Sequence, residues 1–370
     1  MKSFVLSISA FLLFTLTATA QEKLDPKLAT VDKDIAWYDV KHLDVEGRAF
    51  ADTDAPYDRL PGRAKGTVRE AVWGLSRHSA GMCVRFVTDA PMIQARWSLT
   101  SNRLAMPHMP ATGVSGLDLY VKSDKGWRWL GVGQPKDQSN TATLANGIPP
   151  GTREYLLYLP LYNGVSAVAI GVPKTASLAK GPAYPKERKP IVFYGTSITQ
   201  GGCASRPGMV HTAILGRRLG FPVVNLGFSG NGRMEPEVVK FIAEIDASVY
   251  VIDCLPNMTA KDVTANTVPL VKQLQAKRPM TPILLVEDRN YTNAHLLPAL
   301  KQRNTDSQAA LKAAHQQLQK DGVKGVHYLE GADLLGDDFE GTVDASHPTD
   351  LGFLRQADAF EKALRAILKN

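Results

Sequence analysis

Hydrophobic and polar positions follow two different rhythms along this chain, and the change comes near residue 180. Between residues 35 and 172 the apolar residues come in short runs broken by Gly and Pro, at 71–75, 81–87, 93–99, 117–122, 127–132, 155–159 and 167–172. The run Ile93-Gln94-Ala95-Arg96-Trp97-Ser98-Leu99 alternates apolar and polar, the mark of a strand with one buried face. No long 3.6-residue period appears in this region, which holds all five Trp residues. Many short strands without helices predict an all-β, jelly-roll-like sandwich.

Residues 173–190 carry four Pro and five Lys or Arg with little apolar periodicity, and read as the connection between two bodies. A Pro-rich connection is stiffer than a Gly/Ser one, so the sandwich is expected to dock rigidly, with an edge near the mouth of the site described below. From residue 191 onward apolar strands at 191–194, 223–226, 249–252, 283–286 and 326–329 alternate with helical stretches such as 308–320 and 351–368. Gly322 is a natural stop for the first of these helices, and Thr349 or Asp350 a natural N-cap for the second. This alternation predicts a three-layer α/β domain with a parallel sheet, whose ligands bind beyond the carboxyl ends of the strands. The expected division is 21–182 for the sandwich and 183–370 for the α/β domain.

Residues 1–20 stand apart. Lys2 precedes a mostly apolar run over 4–16, and Ala18-Thr19-Ala20 supplies small residues at a cleavage point. This reads as a secretory signal peptide and predicts export to periplasm or medium. The apolar run is too short to span a bilayer comfortably, and no second hydrophobic segment follows, so no membrane insertion is expected.

Composition narrows the partners. The 370 residues are 44% hydrophobic and 21% charged, enough apolar material for sizeable cores and unlike disordered, collagenous or coiled-coil chains. Lys and Arg exceed Asp and Glu by 43 to 36, but no basic stripe appears, so no nucleic-acid partner is expected. Cys83, Cys203 and Cys254 are too few for a disulfide scaffold and lack CxxC spacing. Seven of the eight histidines, at 42, 78, 108, 211, 295, 315 and 327, form no HxH or HExxH pattern, so neither a metal nor another cofactor is expected.

Four segments can carry chemistry. Tyr194-Gly195-Thr196-Ser197-Ile198-Thr199-Gln200-Gly201 follows the first α/β strand and leaves a Ser at its end, where a general base would make it a nucleophile. Asp344-Ala345-Ser346-His347-Pro348 can place an Asp and a His on one loop, the Asp holding the imidazole in the tautomer that accepts a Ser proton. Asn225-Leu226-Gly227-Phe228-Ser229-Gly230-Asn231-Gly232 follows the second strand. It is neither GxSxG nor GxGxxG, but a glycine-rich turn whose N–H groups can face an oxyanion. Asn257 follows the third strand and can donate to the same oxyanion. Each segment taken alone is also compatible with an ordinary turn. Glu287, in Glu287-Asp288-Arg289, either lines the pocket or belongs to a structural ion-pair network. Arg206 either reaches substrate or is a surface arginine.

Together and in this order, the four segments resemble the SGNH/GDSL hydrolase superfamily over about residues 190–370. The resemblance places the nucleophile at Ser197, with Thr196 where the family commonly has Asp, and the Asp–His pair at Asp344 and His347. It places the oxyanion hole at Ser197, Gly230 and Asn257. The third block departs from the usual Gly-x-Asn-Asp, reading Leu255-Pro256-Asn257-Met258. Gly116-Leu117-Asp118-Leu119-Tyr120 is similar to the GxDLY signature of an N-terminal β-sandwich fused to a subgroup of these hydrolases, and Arg153 to Tyr162 resembles that subgroup too. The resemblance implies a metal-independent serine esterase, and its members include exported bacterial esterases that remove acetyl groups from plant polysaccharides. An acetylated glycan is therefore the expected substrate. A lipase, lysophospholipase or thioesterase of the same fold is one alternative, and a carbohydrate-binding protein with an inactive hydrolase half is another. The sheet order of the family makes the first and third α/β strands neighbours. That allows a Cys203–Cys254 disulfide, with Cys83 a buried thiol; two free thiols are the alternative.

Overall fold

The computed structural model describes residues 22–369, so the predicted signal segment 1–20 lies outside the described residues. The first part of the chain forms β1 (Thr30–Asp32), β2 (Ile35–Asp39), β3 (Val45–Glu46), α1 (Glu70–Ser76), β4 (Cys83–Thr88), β5 (Met92–Leu99), α2 (Ala111–Val114), β6 (Leu117–Ser123), β7 (Gly126–Gly133), β8 (Ser139–Asn146), β9 (Arg153–Tyr158), β10 (Val165–Pro173) and β11 (Leu178–Lys180). These strands make two antiparallel sheets. One has the order β1-β2-β10-β5-β8; the other has β11-β4-β9-β6-β7, with β3 on β4. The alternation in β5 does what it predicts: Ile93, Ala95, Trp97 and Leu99 are all buried, facing Phe86, Leu119 and Leu157 of the other sheet.

Two elements differ from the sequence expectation. Residues 71–75 form a helix, not a strand: Val72 and Ser76 are the buried positions of α1, four apart on one face, and Glu70 favours the positive end of the helix dipole. The strand β8 has no apolar run to announce it. It lies at a sheet edge and fully buries only Leu144, with Ala142 and Ala145 half-buried against the core and its remaining side chains polar.

The second part contains β12 (Ile191–Gly195), α3 (Ser197–Gln200), α4 (His211–Leu219), β13 (Val223–Gly227), α5 (Pro236–Ile242), β14 (Val249–Asp253), α6 (Ala260–Lys277), β15 (Ile283–Val286), α7 (Pro298–Lys320), β16 (Val326–Leu329) and α8 (Asp350–Leu368). The five strands are parallel, in the order β13-β12-β14-β15-β16. They read as largely apolar runs because both faces are covered, with Asn225 in β13 and His327 in the half-buried edge strand β16 as the polar positions. The Thr349 side chain caps α8, accepting from Gly352 N.

The two bodies share cores. Tyr120, Leu156 and Tyr158 on the outer face of the second sandwich sheet pack with Ile191, Phe193, Ile214 and Leu215. On the other side of the parallel sheet, Phe50, Leu60, Val68 and Val72 from the first part of the chain join Val224, Phe228 and Phe241. The joint has a polar clasp. Asp118, fully buried, accepts from Arg206 Nη1 at 2.8 Å, Gly208 N at 2.8 Å and Trp129 Nε1 at 2.9 Å. Arg206 Nη1 also donates to Tyr120 OH, and its guanidinium lies over the Trp129 ring. Arg206 therefore holds the bodies together and does not line the pocket around Ser197, where the sequence reading allows it to reach substrate.

Replacing Asp118 by Ala leaves three donors without their acceptor, and should destabilise the protein by about 2–4 kcal/mol in urea denaturation. Asp44→Ala removes the partner of Lys180 in an exposed pair and should cost no more than about 0.5 kcal/mol. Equal effects of the two changes would show that the clasp contributes nothing special.

Candidate active site

Strand register builds the site. Gly195, Gly227 and Asp253 pair across β12, β13 and β14, so the three strands end level with one another. The residues that follow them, Ser197, Gly230 and Asn257, are thereby delivered to one pocket. Ser197 opens α3, just after Thr196, whose hydroxyl accepts from Ile198 N at 3.3 Å. A Cβ on Gly195 would lie 2.1 Å from Thr199 Oγ1 and 2.7 Å from Asp253 O, so only glycine permits this tight entry to the helix.

Beneath α3 lies a buried polar brace. Thr199 Oγ1 donates to Asp253 Oδ2 at 3.0 Å, and Arg289 holds both oxygens of Asp253 at 2.6 Å. Gln356 Oε1 of α8 accepts from Arg289 Nη2 at 2.8 Å. The brace thus ties α3, which Ser197 opens, to β14, to the loop after β15 and to the last helix. Glu287 is not in the pocket. It is buried, accepting from Gly331 N at 2.8 Å and from Tyr328 OH, so its expected contact with substrate is replaced by a structural role.

Asp344 and His347 meet Ser197 from the other side. His347 Nε2 lies 2.8 Å from Ser197 Oγ, and His347 Nδ1 lies 2.8 Å from Asp344 Oδ2. An ionised Asp344 only accepts, so Nδ1 carries the proton and Nε2 presents its lone pair to the hydroxyl. Asp344 Oδ1 also accepts from the backbone of Ser346 at 3.1 Å and of His347 at 2.8 Å, which fixes the short loop. Partial burial raises the Asp344 pKa, but the hydrogen bonds from His347 and Ser346 outweigh it and hold the carboxyl below its ordinary value.

The turn after β13 supplies the remaining polar groups. Gly232 has φ +72°, and a Cβ there would lie 2.0 Å from Gly195 O. Asn231 Nδ2 closes the turn on Ser229 O at 2.8 Å, and Asn257 Nδ2 donates to Asn231 O at 2.5 Å. One amide hydrogen of Asn257 is thereby used and the other is left for the pocket.

Sequence reasoning missed how much the first part of the chain contributes. Tyr162 OH donates to Ser197 O at 3.1 Å, and Met106, His108 and Tyr162 line the pocket. Tyr162 did end a motif-like stretch, whereas nothing marked Met106 or His108. Arg59 is buried and has no carboxylate partner among the described residues. It donates to Gly227 O at 2.6 Å, Asn225 O, Leu75 O and His78 O, and lies over Phe228, so it anchors the base of the oxyanion turn. Burial pulls its pKa down to about 9, which leaves it charged at neutral pH. Cys83, Cys203 and Cys254 are all buried free thiols, so the disulfide is absent although β12 and β14 are neighbours as expected. Cys254 Sγ instead donates to Tyr194 O at 3.6 Å.

Comparisons with known proteins identify the family. The family model of the GDSL-like lipase/acylhydrolase family matches residues 188–365, and the model of the GxDLY N-terminus of SGNH-hydrolase-type esterases matches 35–178. A structure from Bacteroides ovatus assigned as a GDSL-like lipase is 35% identical, covering 90% of this chain and 98% of its own, with a TM-score of 0.86. A salicylyl-acyltransferase from a tetracycline biosynthetic pathway is 20% identical, with coverage of 95% and 98% and a TM-score of 0.71. An acetyl xylan esterase from Butyrivibrio proteoclasticus is 10% identical, with coverage of 90% and 99% and a TM-score of 0.56. The last two show likeness of fold alone. No curated protein matches the chain.

A second histidine supports the turn after β13 and gives a pH-dependent prediction. Gln200 Nε2 donates to His78 Nδ1 at 3.0 Å while its Oε1 accepts from Ser229 N at 3.0 Å, so His78 must be neutral. Burial, and then the Arg59 charge, pull its pKa from 6.5 to about 4. As pH falls below 6.5 the unfolded chain takes up a proton that the folded one refuses until about pH 4. The stability His78 contributes is therefore present above pH 6.5 and lost as pH falls through 4. In urea denaturation between pH 7 and 4, His78→Gln should lose less stability than the parent, by up to about 3 kcal/mol. Parallel curves for the two proteins would contradict the assignment.

Proposed function

Because the chain belongs to the GDSL-like lipase/acylhydrolase family, with a GxDLY-type N-terminus, we propose that it is an exported serine esterase that removes O-acetyl groups from polysaccharides or oligosaccharides. The observation that carries the reading is the chain of two 2.8 Å contacts from Ser197 Oγ through the His347 ring to Asp344. In this mechanism His347 Nε2 takes the Ser197 proton as Oγ attacks the acyl carbonyl, and Asp344 stabilises the imidazolium. The N–H groups of Ser197 and Gly230 and the free amide hydrogen of Asn257 hold the oxyanion. His347 returns its proton to the leaving sugar oxygen, then activates the water that releases acetate.

The acyl specificity rests on the pocket wall. Its lining is mostly polar, with Ser229, Asn257, Tyr291 and Ser346, and Met106 and Pro256 are its few apolar side chains. Such a wall suits a methyl group flanked by hydroxyls better than a long acyl chain, and the glycan preference accords with the fold shared with acetyl xylan esterase. Export rests on the sequence of residues 1–20.

Ser197→Ala should nearly abolish hydrolysis of a short-chain ester with its thermal midpoint little changed. Asp344→Asn should lower kcat by about 10⁴, since it favours the wrong His347 tautomer. Unimpaired activity in either variant removes the mechanism. Acetate release across a panel of acetylated glycans, measured beside cleavage of long-chain acyl esters, tests the substrate: faster turnover of the long-chain esters would replace deacetylation with lipid hydrolysis.

A further inference from the structure

The catalytic histidine has two neighbours that the esterase mechanism does not use. His108 comes from a tight loop of the sandwich closed by the Met106–Met109 pairing, and its ring meets that of His347 edge-on at 5.8 Å. Cys203 lies in the turn after α3, held at φ +73°, and its thiol makes no hydrogen bond among the described residues. One ligand atom from each of His108, Cys203 and His347 falls within 4.8 Å of the others. We propose that these three residues form a binding site for a borderline-soft divalent transition metal, Zn²⁺ above all, and that its occupancy switches the esterase off.

The donor set fits that ion. Imidazole nitrogen and thiolate sulfur are the ligand atoms zinc takes, and three of them with one position left to water suit its tetrahedral geometry. Bonds of about 2.0–2.3 Å put ligand atoms some 3.3–3.8 Å apart, so the cluster must close by roughly 1 Å. His108 is exposed and free to make that movement. The outer support already exists: Asp344 accepts from His347 Nδ1, the carboxylate–histidine arrangement that orients a metal-bound imidazole. Nδ1 being occupied, the metal takes the Nε2 lone pair that otherwise faces Ser197 Oγ. The ion sheds coordinated water, the Cys203 thiol releases its proton to solvent as the sulfur binds, Ser197 keeps its proton, and nothing is oxidised or reduced. His347 is then no longer a base. A chelator therefore raises activity, the reverse of its effect on a zinc hydrolase. The off-switch rests on the serine-esterase reading, whereas the metal binding does not.

The test uses chelator-treated full-length protein titrated with Zn²⁺ against a chromogenic chelator, and with Co²⁺ followed by absorbance. One Zn²⁺ per chain is expected, together with a thiolate-to-Co²⁺ charge-transfer band. Cys203→Ser should abolish the band and weaken Zn²⁺ binding at least about tenfold. His108→Ala should weaken binding similarly while keeping the band, and because His108 is exposed this variant keeps the test decisive if Cys203→Ser misfolds. His295→Ala, an exposed histidine outside the pocket, should bind as the parent does. Hydrolysis of a short-chain ester should fall as Zn²⁺ loads and return with EDTA. Absence of stoichiometric binding, or binding untouched by both Cys203→Ser and His108→Ala, overturns the site. Binding as expected in a protein with no esterase activity leaves the site standing and refutes the esterase reading. Full activity with zinc bound overturns the off-switch.

Discussion

Asp253 and Arg289 are shut away from water, so their charges must satisfy one another. They do so through two 2.6 Å contacts, and each then reaches outward, Asp253 to Thr199 of the nucleophile helix and Arg289 to Gln356 of the last helix. Removing one member of such a pair strands a charge and costs about 3–5 kcal/mol, so the geometry has little freedom to drift. Ser197 sits two residues before Thr199, and the His347 loop runs directly into the helix that carries Gln356. The brace therefore fixes the two sides of the Ser–His contact from below, and the contact needs no further support from substrate.

A second set of constraints acts from outside the α/β domain. Arg59 and His78, from the first part of the chain, hold the turn that carries Gly230, one through Gly227 O and the other through Gln200. Tyr162 holds the backbone of Ser197 itself. The sandwich is thus part of the candidate site, and the Asp118–Arg206 clasp and the shared cores keep it there. The aspartate of the Gly116–Tyr120 motif has its physical meaning in this clasp: a buried acceptor with three donors aimed at it.

Much of this was legible in the sequence. Apolar runs marked the five parallel strands, unbroken in β12 and β15 and interrupted by Asn225 in β13 and His327 in β16, because burial on both faces favours apolar residues at successive positions. The Ser, Gly, Asn and Asp–His segments were readable because each follows a strand end or precedes the last helix, where a parallel sheet puts its ligands. What escaped was of two kinds. The helix α1 and the strand β8 bury one narrow face each, so their local patterns are weak or misleading. Arg59, His108, Arg206 and Glu287 depend on contacts between residues far apart in sequence, and a side chain's type says nothing of which distant carbonyl or ring it will meet. For that reason the sequence left Arg206 and Glu287 open between a substrate contact and another place, and both serve the framework.

The central claim is that Ser197 is already poised as a nucleophile by His347. Reaction of the native protein with a fluorophosphonate, followed by mass mapping of peptides, tests it most directly, because phosphonylation requires an activated serine and no knowledge of the substrate. The account predicts a single adduct per chain, on Ser197. An adduct on another residue, or none on folded protein, would contradict it.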